Sequence, residues 1–569
     1  MDAETDQYAP ELVIDNSSID PPGSFESGYH LTADLVDRSI RFLADHAAEQ
    51  PETPWLLWFA PGACHAPHQA PIDIIKSYDE TFRDGWDAER DRRLTRQKAM
   101  GIVPERTRLP PRNPGVRLWE SHGADEQRLF TRLQSAYAAM LDHADRNLAR
   151  LIDFLERTSM LANTIVLVTS DNGASQKGGP LGFVNSLGPR NAREESFAEK
   201  LARIDEIGGP KTHSNFPHGW AMAANTPLRR YKQNTHGGGI RDPLVMCWPE
   251  RIAARGELRH QFAHACDLAP TLLDLLGIEL PAEINGITQM PIEGMSFAAS
   301  ISDPTAPSKA APQYFEMFGH RGLWHAGWKA VAFHPPGMPY DSDEWELFHL
   351  SEDFSETNDL AATQPQKLSA LIKLWWDEAA KHNVLPLDDR FRQRFIANAD
   401  RVHGARKRYV FHAGMGHLPT EIAPDIRSRN YLIEADVHLG TSDEGVLIAH
   451  GDAASGYSLY LQGGRLVHDM NVGSEHVIVR SQSCVWSGER RLGVRVRRVA
   501  QTVPTPTEIT LLIDGRPVGR IQSQLGFFNF VSWSGLDIGR DRGSPVSHYQ
   551  SPFTFTGKLI KVTVTMDGD

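Results

Sequence analysis

Past about residue 404 the chain has no helical period left. YLIEADVHL, GVLIAHG, YSLYLQGG, RLVHDMNV, HVIVRSQ, LGVRVRRVA, EITLLIDG, LDIGRD and LIKVTVTM follow one another as short runs divided by turn residues. Runs of this kind bury their apolar faces against each other, so the spacing predicts a β-sandwich of the jelly-roll kind. Asp514-Gly515 between two of them reads as a hairpin turn, since both residues tolerate the positive φ such turns need.

The preceding residues follow a different rule. Residues 30–49 carry Leu31, Leu35, Ile40 and Leu43 at near-helical spacing. After Thr53-Pro54 the run WLLWFA reads as a buried strand that ends at Pro61-Gly62. Residues 71–120 are charged and rich in Pro and Arg, and read as a surface excursion. A long amphipathic helix is expected over 124–157, with Leu129, Leu133, Tyr137, Leu141, Leu148, Leu151 and Leu155 on one side. IVLVTS then reads as a central strand, DPLVMCWP as another, and Asp267–Leu276 as a helix. This alternation predicts an α/β fold with a doubly wound sheet. YFEMFG, GWKAVAFH and WELFHL read as short antiparallel strands, followed by a helix from Pro365 to about Lys381. The expected units are an α/β domain over 1–305, an α+β subdomain over 306–403 and the β-sandwich over 404–569.

Composition excludes some functions. A net charge of −13 argues against a nucleic-acid footprint. The four cysteines, Cys64, Cys247, Cys266 and Cys484, form no evenly spaced framework, so a reducing, cytoplasmic compartment is the default. The acidic start is no signal peptide, and no apolar run approaches the roughly 20 residues of a membrane span.

Three stretches could carry chemistry. Asp171-Asn172 leaves the C-terminal end of the IVLVTS strand, the edge where open α/β sheets place ligands. Its oxygen donors suit Ca²⁺ or Mg²⁺, and an Asx turn is the competing reading. His65 lies in the Pro-rigidified loop after WLLWFA, where it could donate to an anion or act as a general acid. Cys64 beside it reads as a packing residue. Lys232 precedes the triple glycine Gly237-Gly238-Gly239, whose amides could approach an anion closely.

Together these stretches resemble the arylsulfatases of the alkaline phosphatase superfamily. The matching segments are GYHLTADL (28–35), WFAPGACHAPHQAP (58–71), SDNGAS (170–175), KTHSNFPHGWAMAANTP (211–227), YKQNTHGGGIRDP (231–243) and WELFHLSEDFSETNDLA (345–361), in family order. GRDRGSPVSHYQSPFTFTGKL (539–559) resembles the lectin-like sandwich of some large bacterial arylsulfatases. The resemblance implies that Asp171 and Asn172 are the second pair of ligands to a divalent cation, usually Ca²⁺. It implies that His65 contacts the ester near its leaving group and that Lys232 binds a sulfate oxygen. The family's nucleophile is a formylglycine made from Cys in a C-x-P-S/A-x-R-type motif.

The chain departs from the family pattern in two respects. The nucleophile motif, a first Asp-Asp pair and a G-K-x-H motif are not found upstream of residue 28, so the chain is expected to begin about 200 residues late. Cys247-Trp248-Pro249-Glu250-Arg251 fits the bare C-x-P-x-R pattern, but it ends a strand and follows the cation segment. In addition Gly237 stands where relatives usually carry Glu, which predicts a less firmly placed Lys232. The expected function is hydrolysis of small aryl or carbohydrate sulfate esters, weak or absent in this chain alone, with no nucleic-acid or membrane partner. The alternatives are a phosphodiesterase or phosphonate hydrolase of the same superfamily, a complementation subunit completed by a separate chain, and a non-catalytic carbohydrate-binding protein.

Overall fold

The computed structural model describes residues 5–390, 393–394, 401–482 and 487–567. Its N-terminal lobe opens with a hairpin of β1 (Leu12–Ile14) and β2 (Ser17–Ile19). Helix α1 (Leu31–Glu49) starts at His30, whose ring accepts from the Thr32 N–H. Then come α2 (Ile72–Ser77), α3 (Asp79–Phe82), α4 (Gly85–Ala99) and the long α5 (Ala124–Arg157). The stripe of α5 splits between two clusters. Leu129, Leu133 and Met140 pack towards α2–α4, while Leu151 and Leu155 meet Val36 and Leu43 of α1. Leu141, expected on this face, is 55% exposed, because the stripe has precessed past it at mid-helix.

The excursion expected over 71–120 is instead largely helical and lines a core. Trp86 of α4 meets Trp119 edge-to-face at 4.8 Å and Trp220 at 5.9 Å, and all three rings are buried. The arginines of α4 mask one buried Trp in any average over sequence.

The sheet differs most from expectation. After α5 come β3 (Val166–Thr169), the short helices α6 (Leu187–Arg190), α7 (Phe197–Ala202), α8 (His218–Ala224) and α9 (Gly237–Ile240), then β4 (Leu244–Cys247). β3 pairs with β4 antiparallel, Val166 facing Cys247 and Thr169 facing Leu244, and no third strand joins them among the described residues. The IVLVTS run is therefore not central, and the described residues build no doubly wound sheet. WLLWFA forms no ladder there either. It runs with alternating exposure: Trp55, Leu57 and Phe59 lean on the α1–α5 cluster, while Leu56 and Trp58 are 88% and 86% exposed. An apolar run covered on both faces was the expectation, and only one face is covered.

The lobe continues with α10 (Leu268–Leu276), a small hairpin of β5 (Glu283–Ile284) and β6 (Ile287–Thr288), and α11 (Ala298–Ser302). The subdomain is an antiparallel sheet of β7 (Gln313–Met317), β8 (His320–His325), β9 (Trp328–Ala332) and β10 (Trp345–His349). Helix α12 (Pro365–Lys381) crosses it, with Trp375 and Leu371 buried against Leu323 and Ala330. β8 adds a fourth strand to the three expected, hidden in sequence by its buried Arg321, which pairs with Asp343.

The C-terminal region is a two-sheet sandwich. Its strands are β11 (Arg408–Phe411), β12 (Asn430–Leu439), β13 (Gly445–Gly451), β14 (Gly456–Gln462), β15 (Arg465–Val472), β16 (Glu475–Arg480), β17 (Gly488–Arg498), β18 (Thr507–Ile513), β19 (Arg516–Ser523), β20 (Leu536–Ile538) and β21 (Lys558–Asp567). One sheet runs β11-β21-β12-β17-β18-β19 and the other β16-β15-β14-β13-β20. Asp514 and Gly515, with φ of 49° and 76°, make the two-residue turn between β18 and β19. The outer face of the five-stranded sheet is covered by its own chain, where Val546 and Tyr549 pack on Val446, Tyr460 and Val467.

The sandwich is fastened to the lobe by polar contacts. The Asn191 Oδ1 accepts from the backbone N–H groups of Phe528, Asn529 and Phe530 at 2.9, 3.3 and 3.2 Å. Arg193 pairs with Glu475 at 2.6 Å, and His417 with Glu11 at 3.2 Å. Among the described residues no helix is long and apolar enough to cross a membrane.

Asp541, 1% exposed, accepts from the Tyr549 hydroxyl at 2.7 Å and the Val546 N–H at 3.0 Å. Burial nevertheless pushes its carboxyl up to about 7. A raised carboxyl holds its proton in the folded state where the unfolded chain has lost it. Its contribution to stability is therefore present in acid and is lost as pH rises from about 4 to about 7. Asp541→Asn should flatten that part of the profile, read as urea midpoints at pH 5 and pH 8, with the larger gain at pH 8.

Candidate active site

The end of β3 and the Lys232 loop lie together. The Lys232 N–H donates to the Ala174 carbonyl at 3.0 Å. Asn225, at the end of α8, knits the two: its Oδ1 accepts from the Ala174 N–H at 2.8 Å and its Nδ2 donates to the Arg230 carbonyl at 3.1 Å. Asn225 was not singled out from sequence, because an amide two residues before Pro227 looks like an ordinary turn residue.

Asp171 is exposed and Asn172 half-buried, its Nδ2 donating to the Gly173 carbonyl at 3.2 Å. Asp242, just before β4, is the acidic neighbour the sequence reading passed over. Burial and the Asp171 charge push its carboxyl up to about 7. Gly173 is required here, since a Cβ would lie 1.9 Å from the Gly238 carbonyl oxygen.

The triple glycine has a different use from the one expected. A Cβ on Gly238 would lie 2.4 Å from the Arg230 oxygen, and one on Gly239 2.1 Å from the Asn234 oxygen. The glycines let backbone meet backbone. Their amides are committed: Gly238 donates to the Arg229 carbonyl at 2.7 Å and Gly239 to the His236 carbonyl at 2.9 Å. The Gly237 N–H donates to both carboxylate oxygens of Glu356, at 3.1 and 3.0 Å. Glu356 is buried and also takes the Lys329 ammonium at 2.6 Å. Burial opposes ionisation of Glu356, but Lys329 and His236 outweigh it and hold the carboxyl below the usual range. The loop after Lys232 is thus held at Gly237 by Glu356.

His65 is half-buried, with its Nδ1 2.8 Å from the Ala66 carbonyl oxygen. That contact places the neutral ring's proton on Nδ1 and its lone pair on Nε2. His68 is a core residue, tilted against Phe216 with ring centroids 4.9 Å apart, and burial pushes it down to about 3. The loop between them is tied down by His68, whose N–H donates to the Ser214 carbonyl at 3.0 Å and whose carbonyl accepts from Ser214 Oγ at 2.9 Å. Cys64 and the half-buried Tyr137 of α5 pack on the same apolar cluster, which sets the His65 loop beside α5.

Cysteine supplies no nucleophile here among the described residues. Burial pushes the Cys64 thiol up to about 12. Cys247 is the last residue of β4, opposite Val166, and no helix opens from it. Cys266 contacts His264 at 3.0 Å, outside this site. Cys484 lies outside the described residues. The cation donors fit in kind but not in number. Asp171, Asn172 and Asp242 offer oxygens, yet no group of three or more His, Cys, Asp or Glu side chains is gathered for a metal among the described residues.

The sulfatase family model matches residues 3–278, and that of the C-terminal region of N-sulphoglucosamine sulphohydrolase matches residues 231–377. The chain belongs to the sulfatase family. An uncharacterized sulfatase of Schizosaccharomyces pombe is 28% identical over 65% of this chain and 64% of its own length. The arylsulfatase of Klebsiella aerogenes is 28% identical over 48% of this chain and 55% of its own. This sulfatase chain therefore matches between just over half and just under two thirds of the length of these relatives. A solved structure, BT4656 in complex with its substrate D-glucosamine-2-N,6-O-disulfate, is 18% identical over 68% of this chain and 75% of that one, with a TM-score of 0.41.

Removing Glu356 leaves Lys329 buried without its counter-charge and the Gly237 N–H without an acceptor. Glu356→Ala should cost about 3–5 kcal/mol, a loss readable in urea denaturation.

Proposed function

We propose that this chain carries the ester-binding part of a sulfatase site and acts on small sulfate monoesters of the aryl or carbohydrate kind. The observation that supports it best is the bond from the Lys232 backbone to Ala174, which puts the Lys232 loop against the Asp171-Asn172 strand end in a sulfatase-family chain. In this reading Lys232 is a point charge for a sulfuryl oxygen. His65, protonated on both nitrogens, donates to the oxygen of the departing alcohol. Asp171 and Asn172 hold Ca²⁺, or Mg²⁺, in part. Such a cation, when bound, supplies charge against the sulfuryl oxygens. The described cysteines give no place for a formylglycine, so turnover by this chain alone is expected to be weak or absent.

Binding tests the reading without requiring turnover. In calcium-containing buffer the full chain should take up inorganic sulfate, followed by titration calorimetry. Lys232→Ala should weaken that uptake about 10- to 100-fold, the range for a hydrogen bond to a charged group. A chain that binds no sulfate, or a variant that binds it as well as the parent, counts against the assignment. Release of 4-nitrophenol from 4-nitrophenyl sulfate at an enzymatic rate would overturn the expectation of weak turnover.

A further inference from the structure

Residues 6–20, which include the β1–β2 hairpin, form a strap that touches both the lobe and the sandwich. On the lobe side the Gln7 N–H donates to Gln69 Oε1 at 2.7 Å, and the Gln7 carbonyl accepts from the Leu31 N–H at 2.7 Å. The Tyr8 hydroxyl donates to the Gly208 carbonyl at 3.3 Å. On the sandwich side Arg540 pairs with Asp20 at 2.8 Å. The Arg542 guanidinium donates to the Pro10 carbonyl at 3.3 Å and to the Ile19 carbonyl at 3.4 Å.

His417 lies in this junction, 8% exposed, with a carboxylate on each ring nitrogen. Asp537 Oδ1 of β20 is 3.0 Å from its Nδ1, and Glu11 Oε1 of the strap is 3.2 Å from its Nε2. A neutral imidazole has one N–H, so it fills one of these bonds and turns a lone pair towards the other carboxylate. The imidazolium donates to both. The three groups are closely packed: a Cβ on Gly535 would lie 2.7 Å from His417 Nε2 and 2.8 Å from Glu11 Oε1. Burial opposes the charge on His417. Its bonds to Asp537 and Glu11 outweigh burial and the nearby Arg542 charge, and hold it above the usual histidine range. His450, the other histidine near it, is kept neutral by burial, at about 3. Two further carboxyls lie in this region. Burial pushes up both Asp6 of the strap and Asp541 beside Asp537, each to about 7.

We propose that Glu11, His417 and Asp537 form a pH-sensitive clasp, which fastens the strap to the sandwich while His417 is an imidazolium and opens at Glu11 when that proton is lost. A raised histidine contributes stability that is fully present below its ordinary value of about 6.5 and is lost as pH rises through its folded value. The ionised Glu11 and Asp537 then face one neutral ring. Arg540 and Arg542 keep their charge throughout this range, so the hairpin end at Asp20 stays tied and the opening is local.

Hydrogen exchange of the full chain at pH 6 and pH 9, corrected for the intrinsic rate at each pH, tests the clasp without any ligand. It therefore stands apart from the sulfate-ester reading. Amides of residues 8–14 should lose protection about tenfold at pH 9, the effect of losing one hydrogen bond to a charged group, while those of α12 do not change. Glu11→Gln and His417→Gln should each abolish that step. Asp6→Asn and Asp541→Asn, which remove the other two groups that titrate in this range, should keep it. If His417→Gln does not fold, Glu11→Gln decides, since the Glu11 side chain is partly exposed at 27%. Equal protection of the strap at both pH values in the parent overturns the clasp. So does a full step kept in Glu11→Gln, or a step abolished by Asp6→Asn or Asp541→Asn.

Discussion

Glu356 is the group on which the site's geometry hangs. Its carboxylate, 2% exposed, takes the Lys329 ammonium from β9 and the Gly237 N–H from the first turn of α9. A charge buried at that depth is tolerated only when it is paired and its lone pairs are filled, and both conditions are met. The bridge fastens the subdomain sheet to the loop that carries Lys232. Arg229 strengthens it by donating to Glu346 of β10 at 2.8 Å and to the Glu356 carbonyl at 3.0 Å. Lys232 is therefore positioned by residues more than 95 positions later in the chain. Position 237 is a glycine, and a carboxylate reaches its N–H from another element.

Much of the architecture was legible in sequence. α1, α5 and α12 follow from period and from Pro365 at a first turn, and the β18–β19 turn follows from Asp514-Gly515. Such features are local, and local chemistry decides them. Two misreadings share one cause. WLLWFA and IVLVTS were read as buried strands from apolarity alone, but whether a strand is covered depends on its neighbours, which a run of residues does not specify. Helix α4 was missed for the opposite reason: its arginines hid Trp86. The motif segments could be read from sequence. The residues that tie their backbones together, Asn225 and Glu356, could not, because each acts across a long sequence separation on a backbone group.

The sandwich and the lobe are joined by many polar contacts rather than by one apolar seam. Asn185 donates to the Ala454 carbonyl and to Ser474, both at 2.8 Å, and Asn191 takes three backbone N–H groups. Contacts of this kind fix orientation more than they add stability. With its outer face filled by Val546 and Tyr549, the five-stranded sheet meets the lobe through the ends of its strands and the turns beside them, at Ala454, Ser474 and Glu475.

The uncovered side of WLLWFA gives the molecule a colloidal character. Leu56 and Trp58 project from a stretch that joins no ladder among the described residues, an arrangement that invites strand-to-strand stacking between copies. What keeps copies apart at low ionic strength is the net charge of −13. That repulsion reaches about 30 Å in 0.01 M salt but only about 8 Å at physiological strength. Adding salt therefore removes the barrier while leaving the apolar attraction intact, so this chain keeps best in dilute buffer and salts out early.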